Sequence, residues 1–521
     1  MMQAGNLPTS RAQAGEIDYA NSYDTARAKV LEARAADWRN GAIVYQVFVD
    51  RFAPAANLDA KKSLYAEPRH IKSWDETPKS GPFDEQAGVW SHELDFWGGD
   101  LASLRAKLDY IQGLGADVLY LNPIHQALTN HKYDAQDYFK VAPEYGTRAD
   151  VKALAEDCHQ RNMRLVLDGV FNHMGRNADW FVDAQQGPSS PHRDWFTFNE
   201  SFPAGYQAWN NIRNLPELNL DNPAVQARIY GDADSVVQGY LREGVDGWRL
   251  DVAPELGFRY LGELTKAAHS AKPGSLVIGE NWQYPEEWSP SLDSVMNLYY
   301  WKVIQHLVDG RISGAHAGKL VERMIDDTGM DAVLKSWVIL DNHDLPRLKA
   351  QQPQRWQRQI AQVLQFTLPG SPCIYYGVEI GMDGDGDPQQ RGPMRWDLVN
   401  DRNPDYAWMK KLLELRRNDR ALRVGDFRLL DSERLMAFMR RTDKVAETTI
   451  VLINPSPTTV SDVVPLRESK FSNWELLKDE FSDRQFRIDC GLLNAEVPGR
   501  TACVLRPALP AGPYNPYKRI Q

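Results

Sequence analysis

Cysteine is scarce in this chain. Its 521 residues hold four, Cys158, Cys373, Cys490 and Cys503, far apart and without the short spacing of a metal site. Cys158 falls in a helical pattern and Cys373 in a strand, so buried free thiols are the expectation, and only Cys490 and Cys503 are placed to pair, across a C-terminal sheet. Long hydrophobic runs are missing as well. Residues 1–37 contain no apolar segment of the kind a signal peptide needs, and no run elsewhere is long enough to span a bilayer. The reading is a cytoplasmic protein, or a periplasmic or secreted one whose leader has been removed, with no membrane partner. Positive charge is also in deficit. A formal net charge of −10 argues against nucleic acid or an anionic membrane surface. There is no internal repeat and no low-complexity tract.

What is present is an ordinary soluble composition, 43% hydrophobic and 25% charged. The length allows one barrel-sized domain with smaller attachments. Tryptophan and tyrosine are plentiful, at 16 and 21. Most belong to packing, but aromatic faces are also what sugar rings stack on.

Residues 1–40 are polar and Ala-rich, an N-terminal extension with a helix expected over Tyr23–Trp38. A strand-then-helix rhythm begins at Ile43–Val49. It continues through Val118–Leu121, Leu165–Asp168, Gly247–Asp251, Leu276–Gly279, Val295–Asn297, Trp337–Asp341 and Cys373–Tyr376. These runs are short and apolar, as parallel strands buried on both faces should be. Helical spacing fills Leu101–Leu114, Arg148–Arg161 and Ala224–Arg242 between them. The pattern predicts a (β/α)8 barrel over residues 41–423, with its active site at the C-terminal strand ends. Between His173 and Asp221 there is no helical period, so residues 174–221 read as an insertion after the third strand that walls a cleft. From about Val424 the pattern alternates, and residues 424–521 read as a small antiparallel β-sandwich.

Three of the strand runs end in acids: Asp251, Glu280 and, after Leu340-Asp341-Asn342-His343, Asp344. Glycosidic hydrolysis needs one ionised carboxylate and one protonated carboxyl facing each other across the bond. Arg249 lies two residues before Asp251 and so points to the same side of the strand, where its charge favours an ionised Asp251. An apolar strand precedes Glu280 and Trp282 follows closely, surroundings that help a carboxyl keep its proton.

At these motifs the chain resembles the α-amylase superfamily of glycoside hydrolases, over most of residues 41–510. The four characteristic stretches read here as Asp168–His173, Gly247–Asp251, Gly279–Trp282 and Asp341–Asp344. Asn130–Asp134 with Asp137-Tyr138, and Leu215–Asn219, resemble the cyclomaltodextrinase, neopullulanase and maltogenic amylase branch. Pro254 and Asn281-Trp282-Gln283 depart from that branch, and its N-terminal β-domain is missing, which leaves monomer and homo-oligomer both open.

The resemblance implies Asp251 as nucleophile, Glu280 as acid and then base, and Asp344 as the third acid, holding sugar hydroxyls. It implies hydrogen bonds from His173 and His343 to the same ring, Tyr133 stacked beneath it and His131 beside it. Asp168 reads as a brace for Arg249 or the pocket floor, and Asp387 and Arg391 as contacts to the next sugar. No catalytic metal or other cofactor is expected. Asp383–Asp387 lacks the closing Glu of an EF-hand. A structural calcium near Asn57, Asp59, Gly98 and Asp100 is left open.

The expected activity is retaining hydrolysis of α-1,4 glucosidic bonds, with α-1,6 bonds as a second linkage, in cyclodextrins, maltooligosaccharides or pullulan, with transglycosylation. Two alternatives stand beside it: a glucosyl or maltosyl transferase or isomerase on the same scaffold, and an inactive sugar-binding subunit. The retained acids argue against the second.

Overall fold

A computed structural model describes residues 23–467 and 471–508. Of the expected N-terminal extension, residues 1–22 lie outside the described part, as do 509–521 of the C-terminal region.

Eight parallel strands close into a barrel: β1 (Val44–Val47), β2 (Val118–Leu121), β3 (Arg164–Gly169), β4 (Gly247–Leu250), β5 (Leu276–Asn281), β6 (Ser294–Asn297), β7 (Trp337–Val338) and β8 (Ser371–Tyr375). Each pairs with its chain neighbour and β8 closes on β1. All eight fall on the apolar runs read from the sequence. Alternate residues serve two cores. Val44, Tyr120, Val166, Ile278, Met296 and Trp337 fill the inside, while Tyr45, Leu119, Leu165, Trp248 and Val277 pack outward against helices.

Three expected elements differ in detail. The helix over Leu101–Leu114 is two helices, Leu101–Arg105 and Leu108–Leu114. A tight bond from Lys107 N to Leu104 O (2.8 Å) interrupts it, and Gly115 ends it in a left-handed cap (φ +83°). The segment Ala224–Arg242 breaks where Ser235 caps a new helix, Val236–Arg242. Val49 leaves β1 and starts a short helix, Val49–Phe52.

The insertion after β3 contains a helix the sequence pattern did not show, Asp179–Ala184, two short 3-10 turns at Arg193–Trp195 and Trp209–Asn211, and single bridges such as His173 to Glu217. Aromatic packing holds it together. Phe181 meets Phe196 edge-on at 4.9 Å and Tyr206 at 4.7 Å, and Trp180 meets Trp195 at 4.8 Å.

Eight antiparallel strands follow the barrel: β9 (Asp426–Leu429), β10 (Met436–Arg441), β11 (Thr449–Asn454), β12 (Val460–Pro465), β13 (Leu476–Asp479), β14 (Gln485–Asp489), β15 (Leu492–Val497) and β16 (Thr501–Pro507). Their order is β9-β10-β11-β16-β13-β14-β15-β12 around a core of their own. Arg440, buried in this sheet, joins it to the barrel, and Arg416, on the helix Pro404–Asn418, braces the same helix end from the barrel side. Arg440 donates to Thr367 O (2.8 Å) and Gly425 O (2.9 Å), and Arg416 to Phe366 O (2.9 Å) and Gly41 O (3.2 Å). They satisfy carbonyls at the end of helix Arg355–Thr367 that have no partner within the helix.

The Cys490–Cys503 pairing does not form. Cys503 is buried in β16 whereas Cys490 is exposed on a turn, and all four cysteines are free. Among the described residues, no helix is long and apolar enough to cross a membrane.

Candidate active site

Strand register builds the centre of the site. β3 and β4 pair so that Asp168 stands opposite Arg249, and β5 sets Ile278 on the other side of Arg249, two residues short of Glu280. Asp251 follows β4 directly. The Arg249 guanidinium, wholly buried, is the common partner. Its Nη1 donates to Asp168 Oδ1 (2.8 Å) and to Asp251 Oδ1 (2.9 Å). Its Nη2 lies 3.0 Å from Glu280 Oε2, a charge contact whose angle does not make a hydrogen bond.

Glu280 has two aligned donors. Trp282 Nε1 donates to Oε1 at 3.0 Å and Val252 N to Oε2 at 3.1 Å. Val252 sits in the left-handed region (φ +39°), which a β-branched residue rarely occupies, so the chain turns sharply immediately after Asp251. Asp344 approaches from beyond β7. Asn342 Oδ1 accepts both Asp344 N and Leu345 N at 2.8 Å and bends that loop inward. Asp344 then meets His343 Nε2 at 3.0 Å and Arg391 Nη2 at 3.3 Å. Arg391 Nη1 reaches Asp387 Oδ1 at 3.1 Å.

The Tyr133 hydroxyl ties the floor together. It donates to Asp168 Oδ2 (3.0 Å), accepts from Asn122 Nδ2 (3.2 Å) and lies 2.6 Å from His343 Nε2. Its ring stacks on His343 at 5.3 Å and 7°. Tyr120 adds a second hydroxyl to Asp168 Oδ2 at 2.6 Å. Gln46 Nε2 stands 3.1 Å from His343 Nδ1. One tautomer satisfies these contacts, with the proton on Nε2 and Nδ1 accepting.

Charge in this enclosure is frustrated. Burial pushes the Asp251 carboxyl well up; Arg249 pulls it down, and Glu280, Asp168 and Asp344 push it up again. Burial likewise raises Asp168 and Asp344 against the pull of Arg249 and Arg391. Arg249 favours the ionised form of Asp251, as expected from the sequence, but carboxylates from other strands and the loss of water oppose it more strongly. These acids titrate as a group. Burial, with Arg391 and Arg249 nearby, pushes His343 down to the neutral form, and burial takes His173 down to about 3. Asp387 goes the other way. Burial would raise it, but the His92 hydrogen bond and Arg391 hold it down at about 2.

Of the residues expected from sequence, His131, Tyr133, His173, Asp251, Glu280, Trp282, Asp344, Asp387 and Arg391 line one cleft of about 660 Å³. That volume suits a small ligand. Asp168, Arg249 and His343 lie behind its surface. His343 was expected to bond a sugar directly, but it is fully enclosed and its nitrogens face Gln46, Tyr133 and Asp344. His173 instead faces the cleft, stacked on Trp209 at 5.5 Å, with its buried Nε2 lacking a protein partner.

The sequence pattern of the alpha-amylase catalytic domain matches residues 46–442. The chain belongs to the alpha-amylase family of glycoside hydrolases. A cyclomaltodextrinase from a Bacillus species is 32% identical over 436 residues, 80% of this chain and 73% of that protein. Neopullulanase 2 of Thermoactinomyces vulgaris is 31% identical over 447 residues, 82% of this chain and 71% of its own. The cyclic α-maltosyl-(1→6)-maltose hydrolase of Arthrobacter globiformis, solved with maltose, superposes with a TM-score of 0.74 at 28% identity, covering 90% of this chain and all of that one.

The residues considered for a family calcium do not fit one. Lys61 Nζ pairs with the Asp100 carboxylate, whose other oxygen accepts Ser103 N at 2.7 Å. Asn57 Oδ1 accepts Ala60 N (3.2 Å), Asp59 points outward to Lys62 (2.7 Å), and Gly98 O accepts Ala55 N (3.3 Å). An ammonium already supplies the positive charge, and each of these oxygens is engaged by a donor of its own.

Sequence reading missed Gln46, Asn122, Glu93, His92, Val252 and Trp209. Asn122 carried the same signal as the acids, a polar side chain at the end of an apolar run, whereas Gln46 is a single polar residue inside one. Val252 carried none, because an apolar residue after a strand gives no hint of a left-handed turn.

Proposed function

We propose that this family member is a retaining α-glucan hydrolase. It cleaves α-1,4 glucosidic bonds, with α-1,6 bonds as a second linkage, in cyclodextrins, maltooligosaccharides or pullulan, and transglycosylates as a side reaction. The observation that carries this reading is the single Arg249 guanidinium holding Asp251 at 2.9 Å and Glu280 at 3.0 Å on the cleft floor. Two carboxyl groups within reach of one guanidinium support the close spacing, about 5–5.5 Å, that retention uses rather than the wider gap of inversion. The names of the similar proteins, cyclomaltodextrinase, neopullulanase and a cyclic maltosyl-maltose hydrolase, point to the same substrate class.

In this mechanism an Asp251 oxygen attacks the anomeric carbon while Glu280 gives its proton to the departing glycosidic oxygen. The covalent glycosyl ester then breaks when Glu280 takes a proton from water and the hydroxide attacks the same carbon, releasing Asp251. A sugar hydroxyl in place of water gives transglycosylation. Asp344 and His173 hold hydroxyls of the reacting ring, and Tyr133 and His131 lie against it. Arg249 stabilises the ionised nucleophile.

β-Cyclodextrin, pullulan, soluble starch and panose assayed side by side test the substrate class. Proton NMR of the first product tests retention, with the α-anomer expected. Absence of turnover on all four, or a β-anomeric first product, overturns the proposal.

A further inference from the structure

Residues 83–90, between β1 and β2, fold as a narrow ribbon with Phe83-Asp84 paired antiparallel to Val89-Trp90. Its turn is internally closed, since Asp84 Oδ1 accepts Gln86 N and Ala87 N, both at 2.9 Å, and Gly88 supplies the left-handed residue (φ +73°). The tip is fastened to another part of the chain. Arg176, at the start of the insertion after β3, donates from Nη2 to Gln86 O (2.7 Å) and Ala87 O (2.8 Å). A Cβ on Gly88 would meet the carbon of that guanidinium at 2.9 Å, so the contact is close. The ribbon packs through Ala87 and Val89 on Leu128, in the loop after β2 that also carries His131 and Tyr133, and its tie to Arg176 joins the loop after β1 to the insertion.

The base is rooted in the site. Trp90 N donates to Glu93 Oε2 at 2.7 Å, and Glu93 Oε1 stands 3.5 Å from His131 Nε2. His92 Nε2 is 3.4 Å from Asp387 Oδ2. On this fixed frame sit two aromatic rings that remain open: Trp90 is 50% exposed and Phe83 44%, edge to face at 5.4 Å, and both line the cleft. Large apolar rings held rigid in solvent inside a cleft are an interaction surface. The neighbouring polar groups, Asp387, His131 and Glu93, suit hydroxyls at a ring's edge. The C–H face of a glucose ring packs on an aromatic face.

We propose that this ribbon is a sugar-binding wall. Trp90 carries a glucosyl unit beyond the one beside Asp387, and the tie to Arg176 blocks the path of a chain extending further on that side. The cleft is then set for ends of linear maltooligosaccharides in preference to interior bonds of long glucans. This rests on the hydrolase reading above and adds the residues that set chain length.

Maltotetraose and soluble starch kinetics of the full chain test it, beside Trp90→Ala, Trp90→Phe and Arg176→Ala; four units are the shortest chain that reaches Trp90 and still leaves a sugar to depart. Trp90→Ala is expected to raise KM for maltotetraose about tenfold, the loss of roughly one aromatic anchor, with little change in kcat. Trp90→Phe restores most of it. Arg176→Ala raises the ratio of starch to maltotetraose turnover. Circular dichroism confirms that the variants fold, and Trp90, being exposed, carries the test if Arg176→Ala does not. Unchanged KM in Trp90→Ala and an unchanged ratio in Arg176→Ala, in a parent that hydrolyses maltotetraose, overturn the ribbon's role and leave the hydrolase reading intact. A parent inactive on both glucans overturns both.

Discussion

Val252 donates its backbone N–H to Glu280 Oε2 across 3.1 Å from a left-handed turn at φ +39°. The turn follows Asp251 directly, so one strained residue fixes the direction of the nucleophile's chain and holds the second acid. Such conformations cost of order 1 kcal/mol or more and persist where surrounding structure enforces them.

Val252→Gly removes that strain. Its melting temperature should equal or exceed the parent's, while kcat falls because the turn no longer fixes Glu280. A lower melting temperature with unchanged kcat would show that the Val252 side chain serves packing alone.

Glu280→Gln should lower kcat on maltooligosaccharides by about 10²–10⁴-fold, the ordinary worth of a general acid. On a p-nitrophenyl α-glucoside, whose leaving group departs without a proton, formation of the glycosyl ester should be far less affected. Pre-steady-state release of nitrophenolate measures this. Equal losses on both substrates would remove Glu280 from the role of acid.

Asp341, three residues before Asp344, makes stability depend on pH. Burial pushes its carboxyl up to about 7, against Arg347 and the Leu348 N–H. The folded carboxyl thus holds its proton to higher pH than the unfolded one. Its contribution is complete below about 4 and drains away as pH rises through about 7. Asp341→Asn escapes that loss, by up to roughly 4 kcal/mol. Its melting temperature relative to the parent should rise between pH 5 and pH 8. A constant difference would show that Asp341 is ionised throughout.

Lys61 pairs with the Asp100 carboxylate beside the residues considered for calcium. EDTA or added calcium should leave the melting temperature of the parent unchanged, and Lys61→Ala should lower stability by about 1 kcal/mol, since the pair is partly exposed. A rise of several degrees with calcium would contradict this.

The barrel was legible because its strands are buried on both faces and read as apolar runs, and Arg249 was placed correctly by the two-residue period of a strand. What depends on contacts between distant strands was not. The state of Asp251 sums over Glu280, Asp168 and Asp344, which arrive from three other segments. His343 sits in the same motif as Asp344, yet one turns to the cleft and the other under Tyr133, a choice made by the Asn342 turn. The Phe83–Trp90 ribbon has strands of two residues and a long-range anchor, so it leaves no periodic trace.

Arg440 bears on how far the molecule can be reduced. Ending the chain before β10 would strip Arg440 from Thr367 O and Gly425 O and uncover the helix end that it closes. A shortened catalytic unit would keep Arg416 on Phe366 O but leave Thr367 O bare beneath its own barrel. The C-terminal sheet is a keystone for the enzyme above it and not a passenger.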